Sequence, residues 1–147
     1  MEKGQGFLDG EWKQLHGTQF TALNPATEEV ISRTSSATVK DIDYAVSSSR
    51  RAWELWRETS IEERVELLKE VSKLLAERSD QLSEIITREN GKPLVESNME
   101  VMGAQMYADY YASESKELLQ DESRGVDFPQ EGNYELKTTF EPLGVVG

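Results

Sequence analysis

The sequence predicts an α/β fold, of which these residues hold mainly helices and short strands. Alternation of polar and apolar residues near both ends of the chain indicates strands, and three long stretches between residues 38 and 119 have the period of amphipathic helices. The run Leu143-Gly144-Val145-Val146-Gly147 lacks polar alternation, which is typical of the start of a buried parallel strand. We therefore expect the helices to cover a sheet that these residues only begin.

Composition excludes several classes of site and partner. The 147 residues suit one ordinary domain, and 37% hydrophobic with 30% charged residues favours a folded, soluble chain. No apolar stretch could cross a membrane, and residues 1–10 lack the layout of a signal peptide, so we expect a cytoplasmic protein. A net charge of −12 argues against nucleic acid as a partner. The absence of cysteine and the single histidine exclude thiolate sites and His-based metal clusters.

Residues 1–37 are predicted to form a β arm. Asp9-Gly10 between apolar residues is a common hairpin signal, and a second strand, Gln19–Leu23, leads into an Asn24-Pro25 turn. Residues 30–34 return as a third strand. His16 lies in the connection between the first two strands, and we expect it to be a solvated loop residue.

Residues 38–119 are predicted to be helical. Thr38 with Asp41, and Ser60 with Glu63, have the spacing of capping boxes that begin helices. Ser79-Asp80 marks a break or a fresh cap inside the second helical stretch. The expected helices run over residues 38–57, 60–90 and 93–119.

The stretch from Arg88 to Pro93 is predicted to end one helix and begin the next. Gly91 can enter the left-handed conformation that ends a helix, because it has no Cβ. Pro93 has a fixed φ and no N–H, which suits the first turn of a new helix.

The last helix carries an apolar side that has two interpretations. Methionine often lines adaptable pockets, but core packing is the commoner use, and Gly103 in mid-helix indicates either close packing or space for another group. Trp53 and Trp56 of the first helix are expected in the core. The residues of the apolar side follow steps of three and four: Val95, Met99, Met102, Met106 and Tyr110.

After the helices, residues 120–132 are predicted to be a loop, because they are polar and contain Gly and Pro. Residues 133–147 are predicted to hold a returning strand and the start of a further sheet.

No catalytic constellation can be recognised in the sequence. There is no P-loop and no Gly-x-Gly-x-x-Gly pattern, and nucleophile triads lack their cysteine or a suitably placed histidine. Carboxylate pairs are abundant, but in so acidic a chain they indicate solvated surface. We assign no catalytic and no cofactor-binding residue.

Four segments, in order, resemble the NAD(P)-dependent aldehyde dehydrogenases. Asn24-Pro25-Ala26-Thr27-Glu28-Glu29-Val30-Ile31 is similar to the family's Asn-Pro-Ala-Thr-Gly-Glu-Val-Ile segment, with Glu28 at the position of a glycine. Glu89-Asn90-Gly91-Lys92-Pro93 resembles its Glu-Thr/Asn-Gly-Lys-Pro turn. Tyr110-Tyr111-Ala112 resembles the aromatic end of the next helix, and residues 141–147 resemble the entry to the cofactor domain.

The resemblance implies an α/β aldehyde dehydrogenase fold, of which this chain is an N-terminal part. The family oxidises an aldehyde to a carboxylic acid by thiolate attack, hydride transfer to NAD or NADP, and hydrolysis of the thioester. Its nucleophilic Cys, general-base Glu, oxyanion-stabilising Asn and cofactor-binding residues come after the position of Gly147. We therefore expect no activity, and no bound cofactor, for these residues alone.

Three lesser roles follow from the resemblance. Backbone carbonyls of Ala22, Leu23 and Glu89 match positions that hold a structural monovalent cation in many members. The helix after the Gly-Lys-Pro turn lines the substrate entrance in the family. The β arm and the returning strand resemble elements of an oligomerisation domain, which implies a homo-oligomer, either a dimer or a tetramer. The substrate-tunnel candidates are Met99, Met102, Gly103, Met106 and Tyr107.

Two hypotheses of different classes remain open at this point. The leading one is the N-terminal section of an aldehyde dehydrogenase. The other is a non-catalytic binding or assembly module that docks on a full-length aldehyde dehydrogenase through its arm strands.

Overall fold

The computed structural model describes residues 5–128 and 132–147. Residues 1–4 of the expected arm and 129–131 of the expected loop lie outside the described residues. The described part contains antiparallel strand pairs and helices in the following order: β1 Gln5–Leu8, β2 Glu11–Gln14, β3 Gln19–Leu23, β4 Val30–Ser35, α1 Val39–Trp56, α2 Ile61–Glu77, α3 Ser79–Asn90, α4 Leu94–Leu118, β5 Glu122–Phe128 and β6 Gly132–Thr138.

The first two strands form the hairpin that the Asp-Gly pair predicts. β1 pairs antiparallel with β2, with Phe7 opposite Trp12. Asp9 and Gly10 both have positive φ, 56° and 78°, which is the conformation of the type I′ turn that Asp-Gly favours. The predicted hairpin is confirmed. β3 pairs with β4 in a sheet of its own, so the arm strands do not join into one sheet.

Polar contacts hold the first hairpin against α1. The carboxylate of Asp9 accepts hydrogen bonds from the hydroxyls of Tyr44, at 2.8 Å, and Ser48, at 2.9 Å. Lys13 donates to the Tyr44 hydroxyl at 2.9 Å. Hydrogen bonds from Tyr44 and then Ser48 favour the charged carboxylate and lower the pKa of Asp9.

Both predicted capping boxes are present. The Thr38 hydroxyl accepts from the Asp41 N–H while the Asp41 side chain accepts from the Thr38 N–H, and Ser60 and Glu63 make the same reciprocal pair at the start of α2. The helix expected over residues 60–90 is divided into α2 and α3 at Arg78, whose φ and ψ of −108° and 13° are not helical. The division falls beside Ser79-Asp80, where the sequence indicates a break.

The core lies where α2 and α3 pack against α4. Its buried apolar residues are small or medium in size, namely Val65, Val101, Ala108 and Ala112. Between α3 and α4 the hydroxyls of half-buried Thr87 and buried Ser97 are 2.8 Å apart, in hydrogen-bond contact. At the other end of the group, Lys116 of α4 pairs with Glu62 of α2 at 2.9 Å.

The expectation of a loop over residues 120–132 is wrong, because β5 occupies most of it. β5 pairs antiparallel with β6 from Glu122 opposite Thr138 to Phe128 opposite Gly132. Every residue of β6 is exposed, but Tyr134 and Leu136 alternate with polar residues as the sequence predicts, whereas β5 is mostly polar and contains Gly125, which indicates a loop in sequence. The backbone ladder forms the hairpin here, with Ser123 donating to Glu135 at 2.6 Å.

The strand expected at residues 143–147 is also absent from this structure. These residues have no regular secondary structure, and the Leu143 side chain is 95% exposed. A parallel strand needs neighbouring strands to accept its hydrogen bonds, and the sheets of the described residues are separate antiparallel pairs. Among the described residues, no helix has both the length and the apolarity that a bilayer crossing requires.

Candidate functional site

Two of the family-like turns meet in space. Gly91 ends α3 with φ of 80°, and its N–H donates to the Thr87 carbonyl at 2.9 Å. A Cβ placed on Gly91 would lie 2.7 Å from Cγ of Pro25, which is closer than real carbon atoms approach. The Asn24-Pro25 turn therefore packs directly on the end of α3, and only glycine fits at this contact.

The Asn24-Pro25 turn is held by its own hydrogen bonds. The Asn24 side-chain oxygen accepts from the Ala26 N–H at 2.9 Å, and the Asn24 carbonyl accepts from the Glu28 N–H at 2.8 Å. Glu28 has φ of 61°, in the left-handed region that favours glycine. This conformation would suit the glycine that the similar family segment has at this position.

The cation-ligand candidates lie beside this contact. Leu23 is two residues before Pro25, and Glu89 is two residues before Gly91. The β3–β4 register is irregular between Ala22 and Leu23, which disturbs the regular pairing of backbone groups there. The Glu89 carbonyl belongs to the last turn of α3, where carbonyls lack helical partners. The Pro25–Gly91 contact thus brings the segments that contain Leu23 and Glu89 close together. Their backbone carbonyl oxygens are ligands of the kind that hard cations prefer.

The methionine face of α4, defined as Val95, Met99, Met102, Met106 and Tyr110, points away from the packed core. The buried residues of α4 are Ser97, Val101, Ala108, Ala112 and Ser115, on the opposite side of the helix. Met99 and Met106 are 67% and 69% exposed. Of the two interpretations, core packing does not hold within this chain, because small residues make the helix contacts instead.

Gly103 is half-buried and lies beside this exposed surface. A Cβ placed on it would meet nothing within 4 Å, so close packing does not explain this glycine. Tyr107, the remaining tunnel candidate, is also exposed. The structure thus gathers Met99, Met102, Gly103, Met106 and Tyr107 on the part of α4 that faces away from α2 and α3.

His16 has a partner that the sequence did not predict. Its Nδ1 lies 3.1 Å from Oδ1 of Asp41, and its backbone N–H donates to Oδ2 of the same carboxylate at 3.3 Å. The imidazole is exposed, as expected. The backbone N–H of Thr38, then the Thr38 hydroxyl and His16, lower the pKa of Asp41 well below its usual range. The two residues are 25 positions apart, so no local pattern could reveal the pair.

An apolar groove runs around Trp56. Two adjoining cavities, of about 530 and 350 Å³, share this side chain. One lies between α1 and residues 144–146 and is lined by Trp53, and the other lies between α2 and the end of α4. Trp56 is 43% exposed, so the expectation that it belongs to the core is wrong for this chain. We call the pair of cavities the Trp56 groove.

Arginines cover the two indole rings. The Arg57 guanidinium lies 4.9 Å from the centre of the Trp53 ring, and that of Arg64 lies 5.2 Å from the Trp56 ring. Arg64 also donates to the Trp56 carbonyl at 2.8 Å, which satisfies the end of α1.

Within residues 5–128 and 132–147, no cluster of His, Asp and Glu side chains could hold a metal ion. The whole sequence contains no cysteine. The described residues therefore offer packing surfaces and backbone oxygens, and the sequence supplies no thiolate.

Comparison with known proteins identifies the relatives. Residues 12–147 match the model of the aldehyde dehydrogenase family. A 3-sulfolactaldehyde dehydrogenase of Pseudomonas putida is 32% identical over 145 residues, which are 97% of this chain and 29% of that protein. An N-succinylglutamate 5-semialdehyde dehydrogenase of Burkholderia cenocepacia is 34% identical over 147 residues, covering 96% of this chain and 30% of that protein.

Solved structures agree with the sequence match. An aldehyde dehydrogenase from Brucella melitensis biovar abortus superposes with a TM-score of 0.78 at 30% identity, over 86% of this chain and 26% of that chain. A succinate-semialdehyde dehydrogenase from Burkholderia pseudomallei gives 0.76 at 28% identity, over 86% and 26%. The chain thus spans about 30% of the length of the curated relatives it matches, and over that span its sequence and its fold place it in the aldehyde dehydrogenase family.

Proposed function

We propose that this chain forms the N-terminal part of an enzyme that oxidises an aldehyde to a carboxylic acid with NAD or NADP. One observation carries the proposal: the family match covers residues 12–147, although the sequence contains no cysteine to serve as the thiolate nucleophile. The catalytic step would then depend on a part of the family fold that these residues do not include.

The nicotinamide cofactor does not fit residues of this chain. The sequence has no glycine-rich phosphate-binding pattern. Its 28 acidic residues outnumber its 16 basic ones, and this disfavours binding of the negatively charged diphosphate of the cofactor. A betaine aldehyde dehydrogenase of Staphylococcus aureus, 26% identical to this chain, was solved with NAD+, and this supports NAD for the whole enzyme. We assign no step of the reaction to a cofactor held here.

The exposed side of α4 supports a role in the substrate entrance. Met99, Met102 and Met106 present flexible thioethers that can adapt to different substrates, and the space beside Gly103 leaves room for a larger one. We propose that these residues, with Tyr107, form one wall of a substrate tunnel in the complete enzyme.

We also propose that Ala22, Leu23 and Glu89 contribute backbone oxygens to a structural monovalent cation. Support comes from the Pro25–Gly91 contact and from the position of Glu89 in the last turn of α3. For assembly, the fully exposed β6 strand supports a homo-oligomer, a dimer or a tetramer, formed by pairing at strand edges. A cytoplasmic location remains part of the same proposal.

The test is a measurement of aldehyde oxidation by the purified chain. With NAD+ or NADP+ and a panel of aliphatic and aromatic aldehydes, we expect no reduced nicotinamide above background. Turnover by the chain alone would contradict the proposal, because it would require a catalytic group that we do not find.

A second candidate function is a non-catalytic module that docks on a complete aldehyde dehydrogenase. The exposed β5–β6 hairpin favours it, since both edges of a two-stranded ribbon can accept a further strand. A sample that is monomeric and unfolds cooperatively would support the module, whereas aggregation would support a part that needs the rest of the enzyme.

A further inference from the structure

The Trp56 groove is built like the interior of a larger protein. Its walls are apolar side chains that remain in part exposed, among them Trp56, Leu67, Val71 and Tyr111. The adjoining cavity continues the same apolar surface along α1 to Val146. Contiguous apolar surface of this kind marks a site of interaction with another polypeptide or ligand.

Three buried polar atoms in the groove have no hydrogen-bond partner among the described residues. They are Nε1 of Trp53, Nε of Arg64 and Oγ of Ser115. All three can donate a hydrogen bond, and leaving such a donor buried without an acceptor is unfavourable. An occupant of the groove should therefore bring both apolar side chains and free acceptor oxygens.

A second copy of this chain fits the groove poorly. Two chains that each carry a net charge of −12 repel one another. The arginines over Trp53 and Trp56 can donate hydrogen bonds to backbone carbonyls of an occupant.

We infer that the Trp56 groove is the docking site for the portion of an aldehyde dehydrogenase fold that this chain does not contain. The inference rests on the proposed function, and the relatives supply its second support, since this chain covers only 29–30% of their length. An apolar segment of that portion lies along Trp56 and Val71, and its carbonyl oxygens accept from Trp53, Arg64 and Ser115. The docking is tested with two separate polypeptides.

The experiment co-expresses the full, tagged chain with a probe polypeptide. The probe is the Burkholderia cenocepacia semialdehyde dehydrogenase without the segment that this chain matches. We expect the probe to co-purify with the tagged chain. Val71→Asp, which places an unpaired carboxylate in the groove, should reduce its recovery about tenfold or more.

The matched control is Ile85→Asp on α3. Ile85 is 43% exposed and Val71 is 47% exposed, but only Val71 lines the groove between α2 and α4. The control should change recovery less than about twofold. Far-ultraviolet circular dichroism of both variants excludes a loss of helix as the cause of a difference.

A second readout uses tryptophan emission. With Trp12→Phe in place, the remaining indoles are Trp53 and Trp56, both in the groove. Binding of the probe should shift their emission to shorter wavelength, and the shift should be absent in Val71→Asp.

Three results would overturn the inference: no co-purification of the probe with the unaltered chain, equal recovery with Val71→Asp, or a dimer of the chain that Val71→Asp dissociates. The proposed function fails separately. If the reconstituted pair oxidises aldehydes and its association is unchanged by Val71→Asp, the proposed function is supported and the docking site is refuted. A pair whose association depends on Val71 but which never oxidises an aldehyde would support the docking site and refute the proposed function.

Discussion

At the level of single residues, Gly91 determines how α3 ends. Its φ of 80° costs a residue with a Cβ about 1–2 kcal/mol, and the Cβ would also overlap Cγ of Pro25 at 2.7 Å. We expect Gly91→Ala to lower the free energy of unfolding by about 2 kcal/mol or more, as measured by urea denaturation. Gly103→Ala is the control, because its Cβ meets nothing and alanine favours a helix interior by about 0.5–1 kcal/mol. Equal effects of the two substitutions would contradict the proposed contact.

Glu28 shows the opposite case, a side chain where glycine fits better. Its φ of 61° places it in the left-handed region, in the turn after Asn24-Pro25. Glu28→Gly should raise the free energy of unfolding by about 0.5–1 kcal/mol, since relief of the backbone exceeds the extra entropy of an unfolded glycine. Glu29→Gly, one position along and with no positive φ, should instead destabilise the chain. A loss of stability in Glu28→Gly would show that this turn is not strained.

Asp41 should make stability depend on acid. Its pKa lies below the ordinary value of 3.8 because the Thr38 N–H, the Thr38 hydroxyl and His16 favour the charged form. A group with a lowered folded pKa stabilises the protein fully above the unfolded pKa and loses that effect as the pH falls through the folded pKa. The difference in unfolding free energy between the natural chain and Asp41→Asn should therefore be greatest above about pH 5 and shrink below pH 3.8. Parallel urea midpoints across this range would rule out the role given to Asp41.

Among the helices, the contact between α3 and α4 depends on a pair of hydroxyls. Ser97 is fully buried and lies 2.8 Å from the Thr87 hydroxyl. Ser97→Ala leaves Thr87 without this partner and should cost about 1–3 kcal/mol in urea unfolding. Adding Thr87→Val should cost less than the sum of the single effects, because the unpaired hydroxyl is removed too.

Ser83 provides the control for that pair. It is also fully buried, on α3, but its hydroxyl has no partner among the described residues. Ser83→Ala removes no hydrogen bond, so it should be close to neutral or slightly stabilising. A cost as large as that of Ser97→Ala would mean that shape at this interface matters more than the hydroxyl pair.

The elements with a local signal were the ones that sequence could predict. Capping boxes at Thr38 and Ser60, the turn at Asp9-Gly10 and the stop at Gly91 each depend on residues within four positions of one another. β5 was missed because its sequence, Glu-Ser-Arg-Gly-Val-Asp-Phe, is mostly polar and contains a glycine, which is typical of a loop. For α4 the sequence predicts the helical period but not which side is buried, and the structure shows small residues packed in the core and the methionines exposed.

For the molecule as a whole, the candidate site was predictable only in pieces. Sequence pointed to Leu23 and Glu89, but the meeting of their turns depends on how Pro25 packs on Gly91, some 66 positions away in the chain. The His16–Asp41 pair and the Trp56 groove are likewise products of tertiary packing. Large apolar side chains that stay exposed could not be told in advance from core residues, because both produce the same periodic pattern.

The charge of the whole molecule should govern its response to salt. With 28 acidic and 16 basic residues, repulsion among carboxylates opposes the compact state, whereas the exposed ion pairs contribute little. Salt screens the repulsion, since the Debye length falls from about 30 Å at 0.01 M to about 3 Å at 1 M. We therefore expect the urea midpoint to rise with KCl over this range.

A charge-reversed variant separates screening from other effects of salt. Glu54, Glu77 and Glu117 lie in the last turns of α1, α2 and α4, where a positive charge is favoured. Replacing all three with Lys would halve the net charge of −12. At low salt this variant should be more stable than the natural chain by about 1 kcal/mol or more, and its midpoint should rise less with KCl. Salting-out of apolar surface would raise the urea midpoint of both chains alike. An equal rise of the midpoint with KCl in the two chains would therefore show that charge repulsion does not limit the stability of this chain.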